Sequence, residues 1–429
     1  TADDVADCVA WCVTRPEHVN VDLLRFAFHQ LKRRAAPGVD GITWHEYEAD
    51  LEANLADLHG RVQRGAYRAK PSRRQYIPKP DGRQRPLGIA ALEDKIVQRA
   101  VVEVLNAIYE TDFLGFSYGF RPGRSQHDAL DALAVGLQRR KVNWVLDADI
   151  RAFFDSLSHT WLMRFLEHRI GDRRMLRLIG KWLKAGVLEE GRLLTVERGT
   201  PQGAVISPLL ANIYLHYVYD LGVQRWRRRS AQGHVIVVRY ADDMVVGFQY
   251  LADAHRFLAE LKQRLEAFAL EVHPDKTRII EFGRFAARER EKRGQRKPET
   301  FDFLGFTHYW ARSRNGYWVV KLKTAKDRFT RAVRSIDHWC RDNRHLPIGE
   351  QHKKLNEKLR GHYAYYGVTG NSAALARFLH EVGPRWRRWL NRRNNIRSMT
   401  WERFLVILRR YPLAPNRAVR STLRRAANP

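Results

Sequence analysis

Two β-branched runs, Val235-Ile236-Val237-Val238 and Val245-Val246, enclose the polar centre Arg239-Tyr240-Ala241-Asp242-Asp243. The pattern predicts strand, tight turn, strand. It constrains the fold because two adjacent carboxylates sit at the tip of an apolar hairpin. Like charges repel, and burying them beside apolar strands is costly unless a cation compensates. For oxygen-only ligands the usual cation is Mg²⁺, which takes one or two carboxylates together with substrate phosphates. A solvated turn accounts for the same residues, since Ala-Asp-Asp is acceptable turn chemistry.

A second apolar strand ends in acid, in Trp144-Val145-Leu146-Asp147-Ala148-Asp149-Ile150-Arg151-Ala152-Phe153-Phe154-Asp155. Laid beside the hairpin, it would bring a third carboxylate to Asp242 and Asp243. Three carboxylates around two metal ions suit in-line nucleotidyl transfer, with one ion at the attacking hydroxyl and the other at the leaving phosphates. Alternation puts Asp147 and Asp149 on one strand face, whereas Asp155 lies past the strand end. Spacing alone leaves both Asp147 and Asp149 open.

Together these stretches resemble the reverse transcriptases of the group II intron maturase type. Tyr240-Ala241-Asp242-Asp243 resembles their catalytic box, and Asp149 to Asp155 their first aspartate motif. Gly199-Thr200-Pro201-Gln202-Gly203 with Ser207-Pro208-Leu209-Leu210-Ala211-Asn212 resembles the next block. The motifs follow in family order, and the resemblance runs from about Pro37 to Arg417. It selects Asp149 over Asp147. It implies that Asp149, Asp242 and Asp243, with Ile150, hold two Mg²⁺ ions (Mn²⁺ being a possible substitute), and that Lys276 in Pro274-Asp275-Lys276-Thr277 gives a proton to pyrophosphate.

Composition points to the same partners. With 76 Lys and Arg against 47 Asp and Glu, the 429-residue chain carries a formal net charge of +29. An excess of this size implies a polyanionic partner, nucleic acid ahead of an anionic membrane. No apolar run approaches the roughly 18–20 residues of a membrane span. The first residues carry Asp3 and Asp4 and no basic leader, unlike a signal peptide. Of three cysteines, Cys8 and Cys12 share a helical spacing and Cys340 stands apart. Without further soft ligands nearby they read as thiols in a reducing cytosol, not a zinc site.

Along the chain, Asn20 is positioned to cap a helix carrying Leu23, Leu24, Ala27 and Leu31 on one face. Pro37-Gly38-Val39-Asp40-Gly41-Ile42 is a turn, and resembles the family block that contacts template RNA. Arg73 to Ile89 reads as a basic hairpin around Pro80-Asp81-Gly82. The resemblance makes it a fingers hairpin whose Lys79 and Arg85, with Arg73, hold the incoming triphosphate. Phe116 to Ser125 resembles a template-side block, with Arg121 and Arg124 as phosphate contacts beside aromatic faces. Phe154 is a candidate steric gate against a 2′-hydroxyl, with a core role as the alternative. Gln202 is the candidate contact to the nucleotide. Ser207 through Leu215 and Phe257 through Phe268 have helical patterns. Gly283 to Pro298 reads as a charged surface excursion. Phe303-Leu304-Gly305-Phe306 resembles the primer-supporting block. Beyond it, Leu359 to Gly367 and Arg385-Trp386-Arg387-Arg388-Trp389 resemble the maturase thumb, or domain X. There Arg385, Arg387 and Arg388 would face RNA, with Trp inward.

The expected architecture is therefore α+β: a right-hand polymerase with fingers and palm built on antiparallel sheet, then an α-helical thumb. The divisions are an N-terminal extension (1–60), fingers and palm (61–310), thumb (311–417) and a short basic tail (418–429). The expected activity is RNA-directed DNA synthesis from dNTPs on an RNA template with a DNA primer or target. Binding and splicing of a group II intron RNA would accompany it, in the cytosol and away from membranes. Alternatives are a group II-like enzyme with a host role in phage defence or spacer acquisition, a non-catalytic splicing cofactor, and an RNA-making polymerase. No Cys-pair or His-rich nuclease pattern follows Arg417, so no C-terminal endonuclease is expected.

Overall fold

A computed structural model describes residues 18–78, 82, 84–189, 192–194, 198–200, 203–295, 298–313, 315–393, 398–418 and 420. Lys79, Gln202, Cys8 and Cys12 lie outside these residues. Helix α1 (His18–Gln30) already includes Asn20, so that residue is not its cap. Phe28 of α1 stacks on Trp44 of α2 (Trp44–Ala49), with ring centroids 4.6 Å apart. Thr43 and Glu46 start α2 with a reciprocal capping box. Helix α3 (Leu51–Gln63) buries Leu55 and Leu58. Strands β1 (Ser72–Pro78) and β2 (Gln84–Ile89) form the expected antiparallel hairpin, Arg73 opposite Ile89 and Pro78 opposite Gln84. Helices α4 (Leu92–Tyr109) and α5 (Gln126–Arg139) lead into the palm.

There the order is β3 (Trp144–Ala148), α6 (Phe153–Ser156), α7 (His159–Arg169), α8 (Arg173–Lys184), β4 (Val187–Glu189) and β5 (Arg192–Leu194). Next come α9 (Ser207–Leu215), a π-helical turn (His216–Asp220), α10 (Leu221–Arg229), β6 (Val235–Tyr240) and β7 (Asp243–Phe248). Then follow α11 (Leu251–Ala267), β8 (Arg278–Glu281) and α12 (Ala286–Lys292). The fingers sheet has the order β2-β1-β4-β5 and the palm sheet β6-β7-β3-β8. The palm sheet is antiparallel, with Ala148 opposite Met244 and Asp147 opposite both Val245 and Arg278. Its side chains alternate between two cores, as the two-residue period requires. Leu146, Val237 and Val246 face the core shared with α9 and α11. Val145, Ile236, Val238 and Val245 face the core shared with α5. Burial on both faces explains why these strands read as continuous apolar runs.

The charged stretch after Gly283 is not an irregular excursion. It forms α12, whose Arg290 and following Arg293 pair with Glu281 at 3.5 and 2.6 Å. Local ion pairs take the place of the apolar periodicity that the sequence lacks.

A second small sheet, β11-β10-β9, joins palm to thumb through β9 (Phe301–Phe303), β10 (Phe306–Arg312) and β11 (Trp318–Thr324). The thumb helices are α13 (Lys326–Asp342), α14 (Ile348–Tyr366), α15 (Ser372–Asn391) and α16 (Trp401–Arg410). A boundary at 310/311 would cut β10, and one at 60/61 would cut α3; the helical region begins after Thr324. The thumb has its own core, centred on wholly buried Trp386 with Leu359, Phe378, Val382 and Phe404. His127 Nε2 of α5 lies 2.8 Å from the Tyr365 carbonyl, and the Tyr365 hydroxyl donates to Leu304 O at 2.8 Å. The thumb is thus tied to two palm blocks. Among the described residues no helix is long and apolar enough to cross a membrane.

Trp386→Ala would empty the thumb core and strand the Gln351 side-chain oxygen that accepts its indole N–H at 2.9 Å. The expected loss is about 3–5 kcal/mol, read as a lower urea midpoint; a loss below about 1 kcal/mol would overturn the assignment of Trp386 to that core.

Candidate active site

The β6–β7 turn is held from beneath by one arginine. Arg239 lies in β6, and its side chain is wholly buried with Asp220. Its Nε donates to Asp220 Oδ1 at 2.7 Å and its Nη2 to Asp220 Oδ2 at 2.6 Å. Nη2 also donates to Ser117 Oγ at 2.7 Å, while Nη1 donates to Asn212 Oδ1 and the Ala241 carbonyl, both at 3.0 Å. All five guanidinium N–H groups are therefore used. Ala241 adopts φ 55°, the left-handed conformation that non-glycine residues rarely take. Gly119 packs so closely here that a Cβ on it would lie 2.3 Å from Ala241 N. The Asn212 amide donates to the Gly119 carbonyl at 2.6 Å, completing the brace.

On this support the carboxylates converge. Asp149 follows β3, and its carbonyl accepts His273 N–H at 2.7 Å. Its carboxylate accepts a hydrogen bond from Lys276 Nζ. Ile150 bridges to Val272, yet the bridge's hydrogen bonds use the carbonyls of Asp149 and Glu271, not that of Ile150. Asp243 is open to solvent by area but lies deep among protein atoms. Lost hydration, followed by the charges of Asp242, Asp149 and Asp147, pushes its carboxyl up to about 7. Lost hydration also raises Asp242, with Asp149 adding to it and Arg85 and Lys276 opposing. Asp147 is pushed up to about 6 by burial, eased by Arg278 and worsened by Asp302 and Asp149. The strand pair therefore gathers all three expected aspartates, and Asp147 belongs to the same electrostatic set. Among the described residues no three His, Cys, Asp or Glu side chains are closed into metal-holding geometry.

The nucleotide-side residues lie around this floor. Gly199 N–H donates to Leu157 O at 2.7 Å and Thr200 N–H to Phe154 O at 2.8 Å, lacing the two blocks together. Gly203 has φ 112°, and a Cβ there would lie 2.9 Å from Gly88 O, so the loop sits directly against β2. Phe153 is buried, whereas Phe154 is half-buried and meets it edge-on at 5.4 Å. Arg85 is exposed on β2, and its charge is felt at Asp242. Arg73 donates through Nη2 to Pro37 O at 2.9 Å, joining the fingers to the Pro37-Gly38 turn, while its Nε has no partner.

The arginines expected to face nucleic acid differ among themselves. Arg121 is a correction: its side chain is 2% exposed, and its donors go to Glu110 and the carbonyls of Leu114 and Ser117. It braces a turn and offers no donor to phosphate. Arg124 donates to Gly115 O at 2.9 Å and lies 5.3 Å from the Tyr118 ring. Arg385 pairs with Glu381, and Arg388 with Asp337. Arg387 donates to Met399 O at 2.8 Å and stacks on Trp401 at 4.4 Å. Sequence reasoning missed the Arg239–Asp220–Asn212 brace. Its one signal is an arginine inside an otherwise apolar strand.

A hairpin of adjacent carboxylates beside a third strand-end carboxylate, under a fingers hairpin and next to a helical thumb, is the palm of a nucleic-acid polymerase. Residues 77–308 match the family described as Reverse transcriptase (RNA-dependent DNA polymerase). Protein YkfC of Escherichia coli K12 is 38% identical over 275 residues, 57% of this chain and 72% of that protein. The group II intron-encoded protein LtrA of Lactococcus lactis subsp. cremoris is 37% identical over 196 residues, 46% of this chain and 32% of that one. A 91 kDa protein in the cob intron of Schizosaccharomyces pombe is 38% identical over 203 residues, 46% and 24% of the two chains. The chain thus spans about a third or less of the two intron-encoded relatives. It belongs to the reverse transcriptase family, and within it to the group II intron reverse transcriptase/maturase type.

Two measurements test this geometry. Asp220→Leu should cost about 3–5 kcal/mol by stranding a buried guanidinium, and adding Arg239→Met should recover part of that loss. A single-variant loss below about 1 kcal/mol would show that the pair is not closed from water. The Asp243 carboxyl binds its proton more tightly folded than unfolded, so it makes stability fall as pH rises from about 4 to about 7. With chelator present, Asp243→Asn should therefore stabilise the protein at pH 8 by about 1 kcal/mol, a discounted fraction of the shift because solvent reaches the group. Equal stability of the two proteins at pH 8 would remove the strain.

Proposed function

We propose that the chain copies RNA into DNA, using a DNA primer or target and dNTPs, and also binds a group II intron RNA, assisting its splicing and supporting retrohoming. The observation that carries the polymerase reading is the convergence of Asp149, Asp242 and Asp243 on a braced turn. Their donor set fits magnesium: oxygen-only, mutually repelling, and already drawing the Lys276 ammonium onto Asp149. Asp149, Asp242 and Asp243, with the carbonyl of Ile150, would hold two Mg²⁺ ions, or Mn²⁺ in their place. Bound there, the ions would supply charge neutralisation for the triphosphate and a more acidic primer hydroxyl.

The chain's own groups do the rest. Arg85, with Lys79 and the free Nε of Arg73, binds the triphosphate through charge-assisted donors. Phe154 lies under the sugar and excludes a 2′-hydroxyl, and Gln202 holds the nucleotide. Lys276 Nζ carries the proton delivered to the leaving pyrophosphate. Maturase function is drawn from the family. The +29 charge and the arginine-aromatic thumb, in which Arg387 stacks on Trp401, support RNA as the partner.

Asp149→Asn and Asp242→Asn should each abolish primer extension while RNA affinity in a filter-binding assay stays near wild type. Asp242→Asn should still assist splicing, because the intron RNA supplies that chemistry. Substantial extension by either purified variant would overturn the catalytic assignment, and wild-type protein that leaves intron splicing unassisted would overturn the maturase half.

A further inference from the structure

Helix α8 carries a second charged feature, apart from the carboxylate floor. Its inner face is fixed: Ile179, Trp182 and Leu183 are buried, and Trp182 Nε1 donates to the Tyr67 hydroxyl at 2.9 Å. Lys181 Nζ donates to the carbonyls of Gly65 and Tyr67 at 3.0 and 2.6 Å. Its outer face presents Arg173, Arg174, Arg177 and Lys184, all exposed. Among the described residues none of these four side chains has a hydrogen-bonding or ion-pairing partner. Asp172, beside them, accepts Arg174 N–H at 2.7 Å as the helix cap.

The helix stands as a ridge between two open grooves. One, of about 1450 Å³, runs along α1, α3 and α4, and the ridge lines it with Arg174 and Arg177. The other, of about 2200 Å³, is lined by Arg68, Arg173, Arg177 and Lys184. Neither groove includes a residue of the carboxylate floor or the nucleotide-side set. Arg173 and Arg177, four residues apart, are separated by about 6 Å along the axis, comparable to neighbouring phosphates on an RNA strand. Unpaired cations on both flanks of a ridge complement a groove of a double helix with a phosphate strand on each side. Guanidinium groups suit that role because their planar donors meet phosphate oxygens in pairs.

We propose that α8 is a docking ridge for a double-helical segment of RNA, held by its backbone and shape outside the catalytic cleft. A-form duplexes are recognised largely in this way, through phosphates and 2′-hydroxyls across the shallow groove. The inference rests on the reading of this chain as a partner of structured RNA.

The test is the quadruple variant Arg173→Gln, Arg174→Gln, Arg177→Gln, Lys184→Gln. Its control is Arg225→Gln, Arg228→Gln, Arg229→Gln on α10, which removes similar charge elsewhere. The probe is a long, fully paired, fluorescein-labelled RNA hairpin, titrated at several salt concentrations. The α8 variant should bind at least about tenfold more weakly, with a salt slope shallower by roughly 0.9 for each phosphate it no longer neutralises. The control should bind like wild type, and both variants should extend a short primer on an unstructured template normally. Lys in place of the three arginines, with Lys184 kept, should restore most of the salt slope. Wild-type affinity and slope in the α8 variant, or equal losses in variant and control, would overturn the docking ridge. A wild-type protein that binds the hairpin through α8 yet assists no splicing would support the ridge and remove the maturase reading. A wild-type protein that extends primers but does not bind the hairpin would overturn the ridge.

Discussion

The active-site turn depends on the buried pair of Arg239 and Asp220. A guanidinium taken out of water is tolerated only when every donor is satisfied, and here each one is. The partners come from separate parts of the chain: Ser117 before α5, Asn212 on α9, Asp220 on the π-helical turn, and the Ala241 carbonyl in the turn itself. One side chain therefore fixes where helix, template-side loop and hairpin meet. The backbone reinforces it, since Arg239 N–H donates to Phe116 O and Tyr118 N–H to Arg239 O, both at 2.9 Å. With a left-handed Ala241 braced this way, Asp242 and Asp243 are held near other negative charges despite their repulsion.

The molecule arranges charge on two scales. Globally it is strongly cationic, and exposed arginines cover α8 and the thumb. Locally the palm floor is acidic enough to raise the proton affinity of Asp147, Asp242 and Asp243. A polyanion is thus attracted to the body of the protein and repelled by its reactive centre unless cations intervene there. Asp149 already has one such cation in Lys276, carried on the loop after α11.

Much of this is legible in the sequence because it is local. The hairpin Val235–Gly247, the strand ending at Asp149, the basic β1–β2 hairpin and helices α9 and α11 all follow from periodicity and turn chemistry. Which acid joins Asp242 and Asp243 is not legible from spacing, because Asp147 and Asp149 share a face and both feel the others' charge. Long-range pairing is hidden as well. Arg121 sits in an arginine-aromatic motif that reads as a nucleic-acid contact, but Glu110, eleven residues earlier, captures it. The helix after Gly283 escapes notice because Glu281, not an apolar core, organises its arginines. The palm–thumb division falls later than expected because β10 and β11 continue the palm's strand pattern before any helix begins.

The π-helical turn between α9 and α10 has a consequence for how this segment tolerates change in length. Asp220 ends that turn, and it reaches Arg239 only because the helix is locally overfilled. Deleting one residue there would restore ordinary helical winding and rotate everything downstream by about 100°. Asp220 would leave Arg239, and the buried Val223 and Trp226 of α10 would swing from the core together. The segment therefore behaves as a phase marker: substitutions can be absorbed one at a time, whereas a slip along the helix by a single position displaces the ion pair and the α10 core face at once.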